Sequence, residues 1–199
     1  MSSAAPPFGL TICGIAELAG HCSTGASHVL SILDPDYPVP EAFGEHQKLE
    51  VRFHAIVDET PGLLLPLPEH VERILALGRD LVAEPIATAH LLVHCHAGIS
   101  RSTASMALIL AQALPETLAD TILLMVHGTR EKAWPNLRLV EIGDAMLGRN
   151  GTLVEATHAL HQLQLERRPH LAEFMELGGR GREVAAARAH GARLQGKTV

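Results

Sequence analysis

Aromatic residues are scarce in this sequence: they make up 3% of its 199 residues, with one Trp, one Tyr and four Phe. Proteins that bind single-stranded nucleic acid stack bases on aromatic side chains, and this chain has few to offer. A formal net charge of −6 gives no support for binding a phosphate backbone either. We therefore expect no nucleic-acid partner, and a core packed mainly by aliphatic side chains.

Cysteines are equally few. The three present, Cys13, Cys22 and Cys95, cannot build a disulfide framework, and the sequence has no Cys-x-x-Cys pair. We interpret Cys13 and Cys22 as packed thiols rather than as redox partners of Cys95. This cysteine usage favours a reducing compartment, and the expected location is the cytoplasm.

Long apolar runs are also missing. No stretch approaches the roughly 18 residues that suggest a membrane span. Residues 1–7 lack the basic region, followed by an apolar run, that marks a signal peptide. We therefore expect no membrane partner.

What the sequence does contain is an alternation of strand and helix patterns. Strands are predicted at residues 10–13, 28–33, 49–57 and 91–93, the last being the short apolar run typical of a strand buried on both faces. Helices are predicted at residues 69–83, 100–114, 117–126, 137–147 and 153–167. This order predicts an α/β fold in three layers, with a mostly parallel central sheet flanked by helices.

The end of the chain differs in composition from the rest. Seven of the 16 basic residues follow Leu165, together with four of the 22 acidic ones. The Gly-, Arg- and Ala-rich stretch after Pro169 shows weak apolar periodicity. We predict one domain at residues 8–168 and a basic, mobile C-terminal tail at residues 169–199.

The chemistry is concentrated between Leu91 and Thr103. A strand ends at Cys95, five residues form a loop, and Arg101 lies in the first turn of the next helix. Backbone N–H groups of a tight loop entering a helix converge on an anion, and the helix dipole favours negative charge there. The sequence therefore predicts a phosphate-binding loop between a central strand and a helix.

Three residue types suit this loop to phosphate chemistry. Gly98 allows the loop to fold back on itself, and Arg101 offers a bidentate fork to two phosphate oxygens. The same positive surroundings favour the thiolate of Cys95, which is the nucleophilic form. We predict that Cys95 attacks a phosphate ester.

The run from His94 to Ser102, His-Cys-His-Ala-Gly-Ile-Ser-Arg-Ser, resembles the signature of the protein tyrosine and dual-specificity phosphatase superfamily. That signature is His-Cys-x-x-Gly-x-x-Arg followed by Ser or Thr. The likeness extends in element order over about residues 10–147 and points toward small bacterial tyrosine phosphatases. It implies that residues 8–168 are a phosphatase domain.

The resemblance also implies roles for individual residues. Cys95 would form a phosphocysteine intermediate, Arg101 would bind the phosphoryl oxygens, and Ser102 would assist the departing thiolate. The substrate-binding residues would be His96, Ala97, Gly98, Ile99, Ser100 and Arg101. The implied substrate is a phosphorylated protein or a small phosphomonoester, and no metal or organic cofactor is expected.

The superfamily places its general acid, an aspartate, on a loop after an earlier strand. The matching loop here begins at residues 57–62, and Asp58, at the predicted strand end, is the candidate, with Glu59 as the alternative. Bacterial relatives carry the aspartate in a His-Asp-Ile run, which reads His54-Ala55-Ile56 in this chain. Asp58 as a turn-capping residue and a chain without an acid both stay open.

Other interpretations of the motif are a pseudophosphatase that binds phosphorylated ligands and a sulfurtransferase of the rhodanese class. The residue before Cys95, the five-residue spacing and Ser102 disfavour the sulfurtransferase. A metal site made of His94, Cys95 and His96 is also disfavoured, because neighbouring side chains in an extended chain point in opposite directions.

Overall fold

The computed structural model describes residues 5–21, 23–40, 47–83 and 89–196. Four parallel strands form one sheet in the order β1-β4-β2-β3. Their bounds are β1 (Gly9–Gly14), β2 (His28–Leu33), β3 (Gln47–Arg52) and β4 (His90–Cys95). The strand that ends at Cys95 is therefore interior, and the carboxyl ends of β1 and β2 flank it.

Helices surround this sheet. A 3-10 turn (Ile15–Glu17) leads into α1 (Leu18–His21), and the remaining helices are α2 (Pro68–Ala83), α3 (Arg101–Ala113), α4 (Ala119–Thr129), α5 (Leu137–Met146), α6 (Thr152–Arg167), α7 (Leu171–Leu177) and α8 (Gly181–Gln195). The predicted three-layer α/β fold with a parallel central sheet is confirmed. Within the described ranges, no helix has both the length and the apolar character needed to cross a membrane.

Strand β4 is buried on both faces, as its apolar run predicted. Leu91 and Val93 contribute to the main core, which also contains most of α3. Leu92 points the other way, into a smaller cluster with Cys13. Cys13 is thus a packed residue, whereas Cys22 lies outside the described residues.

The third strand is shorter than predicted. It ends at Arg52 rather than at residue 57. Beyond Phe53 the backbone leaves the sheet, because the N–H of His54 donates to the Leu64 carbonyl (2.9 Å) and the His54 ring accepts from the Leu64 N–H (2.8 Å). Asp58 therefore lies in a loop and does not close a strand.

The prediction of a mobile tail is wrong for the described part of the C-terminus. Residues after Pro169 form α7 and α8, and Val184 and Ala187 of α8 are fully buried. The carboxylate of Glu183, also fully buried, accepts hydrogen bonds from the Trp134 indole and the Leu137 N–H, both at 2.8 Å. The contacts of α8 with the rest of the chain thus include small buried side chains and a buried carboxylate, which apolar periodicity does not reveal. The domain bounds at residues 8–168 remain a prediction.

We expect Glu183→Ala to destabilise the protein strongly. The change leaves the Trp134 and Leu137 donors unpaired in the core, and it removes the partner of Arg180 at 2.7 Å. Breaking a buried ion pair by removing one partner costs about 3–5 kcal/mol. Urea unfolding measures the loss, and Glu173→Ala, on the exposed face of α7, is the matched control. Equal unfolding midpoints for the two variants would show that α8 is not anchored through Glu183.

Candidate active site

The loop after β4 is folded tightly against the end of β1. Gly98 adopts a φ of +67°, and a Cβ there would lie 2.3 Å from the Cys13 carbonyl carbon. A Cβ on Gly14 would lie 2.9 Å from the His96 carbonyl oxygen. Glycine is required at Gly98 on both counts, because the position needs a positive φ and has no room for a side chain.

The carbonyl groups of the loop all point away from its concave face. Each carbonyl of residues 96–100 accepts a hydrogen bond from a group packed around the loop. The His96 carbonyl accepts from the Ile15 N–H (3.0 Å), and the Ala97 and Gly98 carbonyls accept from the Arg130 side chain (3.0 and 3.1 Å). The Ile99 carbonyl accepts from the Trp134 N–H (2.9 Å), and the Ser100 carbonyl from the Asn136 N–H (3.2 Å). With the carbonyls bonded outward, the peptide N–H groups are left to face the centre of the loop, where an anion would sit.

Arg130, which follows α4, is the main external support of this loop. Its guanidinium donates to two loop carbonyls and also pairs with Glu17 at 2.9 Å. Glu17 in turn accepts from the Gly14 N–H at 2.7 Å. One cation and one carboxylate thus connect the end of β1, the loop and α4.

Cys95 carries its thiol at the base of the loop and is 3% exposed. Its sulfur lies 3.3 Å from the Ser102 hydroxyl. Burial raises the pKa of the Cys95 thiol, but the Arg101 charge and hydrogen bonds from Ser102 and the Ile99 amide outweigh it, so the pKa lies below its ordinary value. These surroundings therefore stabilise the thiolate relative to that of an ordinary cysteine.

Arg101 is the first residue of α3, and its side chain is also 3% exposed. One terminal nitrogen, Nη1, donates to the Asp34 carboxylate at 2.7 Å and to the Phe53 carbonyl at 2.6 Å. The Nε group is buried and finds no hydrogen-bond partner within the part of the chain that the structure describes. The guanidinium is thus anchored at Nη1, whereas its Nε–H donor is unsatisfied within the described residues.

The two histidines beside Cys95 have different surroundings. His94 is fully buried, and burial lowers its pKa to about 4, with smaller effects from Lys48 and His96, so its ring is neutral at pH 7. His96 is half-buried at the rim, where its ring lies 4.3 Å from the Tyr37 ring. Burial, followed by the Arg101 charge, lowers the pKa of His96, and Asp34 opposes the shift. Among the described residues, no group of three or more His, Cys, Asp or Glu side chains is arranged to hold a metal ion.

The candidate acid, Asp58, lies in the loop after β3. Its side chain is 53% exposed and pairs with Arg182 of α8 at 2.9 Å. Arg182 also donates to the Val57 carbonyl (3.1 Å) and pairs with Glu141 of α5. Asp58 as the acid remains a prediction, and the alternative, Glu59, is exposed.

Ala55 lies in the same loop, between two residues whose carbonyls contact the site. The Phe53 carbonyl accepts from Arg101, and the Ile56 carbonyl accepts from the Asn136 side chain at 3.1 Å. Asn136 also caps α5 by accepting from the Leu139 N–H at 3.1 Å. Position 55, an alanine in this chain, thus lies in a loop whose backbone contacts Arg101 and Asn136.

Sequence reasoning missed three side chains that contact the loop, Arg101 or the candidate acid. Asp34 belongs to an Asp-Pro-Asp sequence, which by itself is typical of a turn at the end of a strand. Arg130 and Arg182 carry no local motif, and they lie far along the chain from the groups they contact. The one available signal was topological: a residue directly after a strand that neighbours the Cys95 strand is expected near the same sheet edge.

The fold is that of tyrosine and dual-specificity phosphatases of known structure. Human DUSP28 matches with a TM-score of 0.54 and 21% identity, over 73% of this chain and 96% of that one. The Yvh1 phosphatase domain from Chaetomium thermophilum matches with a TM-score of 0.51 and 19% identity, over 75% and 95%. The human tyrosine phosphatase-like serine/threonine/tyrosine-interacting protein matches with a TM-score of 0.54 and 17% identity, over 71% and 93%.

At 17–21% sequence identity, these structural matches show a shared fold. No family model matches the chain, and no curated protein does. The activity of this protein has to be argued from its own residues.

Proposed function

We propose that the protein is a phosphomonoester hydrolase of the tyrosine or dual-specificity phosphatase kind, acting through a phosphocysteine intermediate. The observation that carries the proposal is the cradle around Cys95: a thiol of lowered pKa, surrounded by a loop whose carbonyls are all bonded outward, beside a buried Arg101 with an unsatisfied Nε. Such a cradle suits a phosphoryl group, because it offers donors to the equatorial oxygens and a nucleophile below them.

The reaction has two steps. In the first, the Cys95 thiolate attacks phosphorus in line, the bond from phosphorus to the ester oxygen breaks, and that oxygen takes a proton from the general acid, for which Asp58 is the candidate. In the second, water attacks the phosphocysteine and gives a proton to the carboxylate that the general acid has become, the sulfur–phosphorus bond breaks, and inorganic phosphate leaves. The Ser102 hydroxyl, 3.3 Å from the sulfur, donates to the thiolate as it departs.

The substrate we propose is a phosphoprotein or a simple monoester. The loop carries no lysine, and a site for polyphosphorylated inositols is expected to have additional cations. A reducing compartment such as the cytoplasm fits a mechanism that needs a free Cys95 thiol. Turnover of an aryl phosphate, followed by a panel of phosphopeptides and phosphoinositides, tests both the activity and the substrate class.

A second candidate function is a binding module for phosphorylated ligands with little turnover. Two observations favour it: Ala55 sits where bacterial relatives carry an aspartate, and Asp58 is paired with Arg182. One of the matching structures is that of the human tyrosine phosphatase-like serine/threonine/tyrosine-interacting protein. Phosphopeptide binding with no turnover of nitrophenyl phosphate would select this function.

The general acid is tested by Asp58→Asn. A positioned carboxylic acid contributes roughly 10²–10⁴-fold when the leaving group is poor. We therefore expect a loss of that size on phosphotyrosine and a much smaller loss on nitrophenyl phosphate, since nitrophenolate leaves without a proton.

Glu59→Gln is the matched comparison, one residue away in the same loop. A crippled Glu59→Gln beside an unaffected Asp58→Asn would transfer the role to Glu59. Slow turnover in the wild type, unchanged in both variants, would mean that no acid is present and would favour the binding module.

A further inference from the structure

Asp34 is the first residue after β2, the strand that neighbours the Cys95 strand. Its Oδ1 accepts from Nη1 of Arg101 at 2.7 Å, and the same nitrogen donates to the Phe53 carbonyl at 2.6 Å. Two acceptors from two different strand ends therefore hold one corner of a guanidinium that is almost fully buried. A terminal guanidinium nitrogen carries two N–H donors, and both donors of Nη1 are thus used by a carboxylate and a carbonyl.

Anchoring at Nη1 determines which edge of the guanidinium remains for a ligand. The fork formed by Nε and the other terminal nitrogen, Nη2, is the one that matches two oxygens of a tetrahedral anion. The buried Nε has no partner in the described part of the chain. A phosphoryl oxygen that accepts from this donor would satisfy it on binding.

The Asp34 carboxylate is itself held in place. Arg52 donates through Nη1 to the carbonyls of Asp34 (3.1 Å), Pro35 (2.7 Å) and Tyr37 (2.8 Å), which fixes the turn after β2. The Asp34 N–H donates to the His96 ring at 3.3 Å, and the second carboxylate oxygen lies 3.7 Å from the other ring nitrogen. The turn that carries the Asp34 carboxylate is thus held by hydrogen bonds within the chain itself.

We propose that Asp34 is a positioning residue for the phosphoryl site: it holds Nη1 of Arg101 so that the Nε and Nη2 edge faces the phosphate. This role rests on the proposed function, since it concerns the group that would bind the phosphoryl oxygens. Asp34 acts through Arg101, with which its carboxylate forms a 2.7 Å hydrogen bond. Its removal would leave the charge of Arg101 in the site but not its orientation.

The experiment is a double-mutant cycle of Asp34→Asn with Arg101→Lys. Asp36→Asn is the matched control, because Asp36 is exposed in the same turn and undergoes the same chemical change. The measurements are kcat/KM on an aryl phosphate, the Kd of inorganic phosphate and the unfolding midpoint. We expect Asp34→Asn to lower kcat/KM by about 10-fold or more and to weaken phosphate binding, with Asp36→Asn unchanged.

The cycle separates positioning from a structural role. If Asp34 acts through Arg101, the substitution should cost less than about threefold in the Arg101→Lys background, because coupled residues are not additive. An equal loss in both backgrounds, or wild-type behaviour of Asp34→Asn, would overturn the proposal. So would a flattened alkaline pH limb with no loss on nitrophenyl phosphate, which would make Asp34 a proton donor. Should Asp34→Asn fail to fold, Asp34→Glu, which keeps the charge but displaces it, takes its place in the same cycle.

Failure of the proposed function is distinguishable from failure of this role. If the wild-type protein shows no turnover, the Kd of inorganic phosphate still tests the positioning role. Arg101→Lys and Asp34→Asn should then both weaken phosphate binding, and Asp36→Asn should not. A wild-type protein that turns over aryl phosphate while Asp34→Asn matches Asp36→Asn would retain the function and lose the inference.

Discussion

Replacing Cys95 with serine is expected to eliminate turnover while leaving the phosphate cradle intact. Removing a covalent nucleophile typically costs a factor of about 10⁴ or more, because the groups of a catalytic unit act together. The loop carbonyls keep their outward hydrogen bonds and Arg101 keeps its anchors in this variant, since neither involves the sulfur atom. Inorganic phosphate should therefore still bind, as measured by calorimetry, whereas hydrolysis of an aryl phosphate should fall to background.

Cys13→Ser is the matched control for this experiment. Cys13 is a buried cysteine on the neighbouring strand, packed in a separate small cluster. We expect Cys13→Ser to change stability more than catalysis. Full activity in Cys95→Ser, or loss of activity in Cys13→Ser with no loss of stability, would contradict the assigned nucleophile.

Replacing Arg101 with lysine is expected to lower kcat/KM by at least about 100-fold, the scale at which one preorganised donor matters. Lysine keeps the positive charge but has a single nitrogen. That nitrogen cannot occupy the anchor formed by Asp34 and the Phe53 carbonyl and also offer a fork to the phosphate. Both phosphate binding and the chemical step should weaken.

Arg188→Lys on α8 serves as the control for Arg101→Lys. Its guanidinium is exposed and pairs with Glu176 at 3.0 Å on the surface, an interaction that lysine reproduces. We expect no measurable change in this variant. A loss below about threefold in Arg101→Lys would mean that the guanidinium does not face the phosphate.

The local part of the site could be predicted from the sequence because its physics is local. A short apolar run, a loop closed by Gly98 and a helix beginning at Arg101 determine where the amides converge, all within a dozen or so residues. The structure places Cys95, Ser102 and Arg101 together in that loop and first helical turn.

The supports of the site were not predictable in the same way. Asp34, Arg130 and Arg182 contact the loop, Arg101 or Asp58 from elements far away in the chain, and their residue types alone suggest turns and surface charges. Their roles depend on strand order and on where helices dock, which the sequence pattern leaves open. The shortened β3 has the same origin, because a contact between His54 and Leu64 draws the chain out of the sheet.

The C-terminal helices illustrate a further limit. Gly, Arg and Ala give weak apolar periodicity, so the composition predicted a mobile tail. In the structure, one residue that connects α8 to the rest of the domain is Glu183. Its carboxylate is fully buried and accepts hydrogen bonds from two donors of the Trp134–Leu137 segment. The same segment donates to the carbonyls of Ile99 and Ser100, so α8 supports the phosphate-binding loop from behind.

Trapping the covalent intermediate tests the proposed role of Cys95 as the nucleophile. Wild-type protein mixed with an aryl phosphate and quenched in acid within a single turnover should carry one phosphoryl group on the peptide that contains Cys95, as identified by mass spectrometry. Cys95→Ser treated in the same way should carry none. Phosphate on another residue, or turnover in the wild type with no trapped phosphocysteine, would contradict the assignment of Cys95 as the nucleophile.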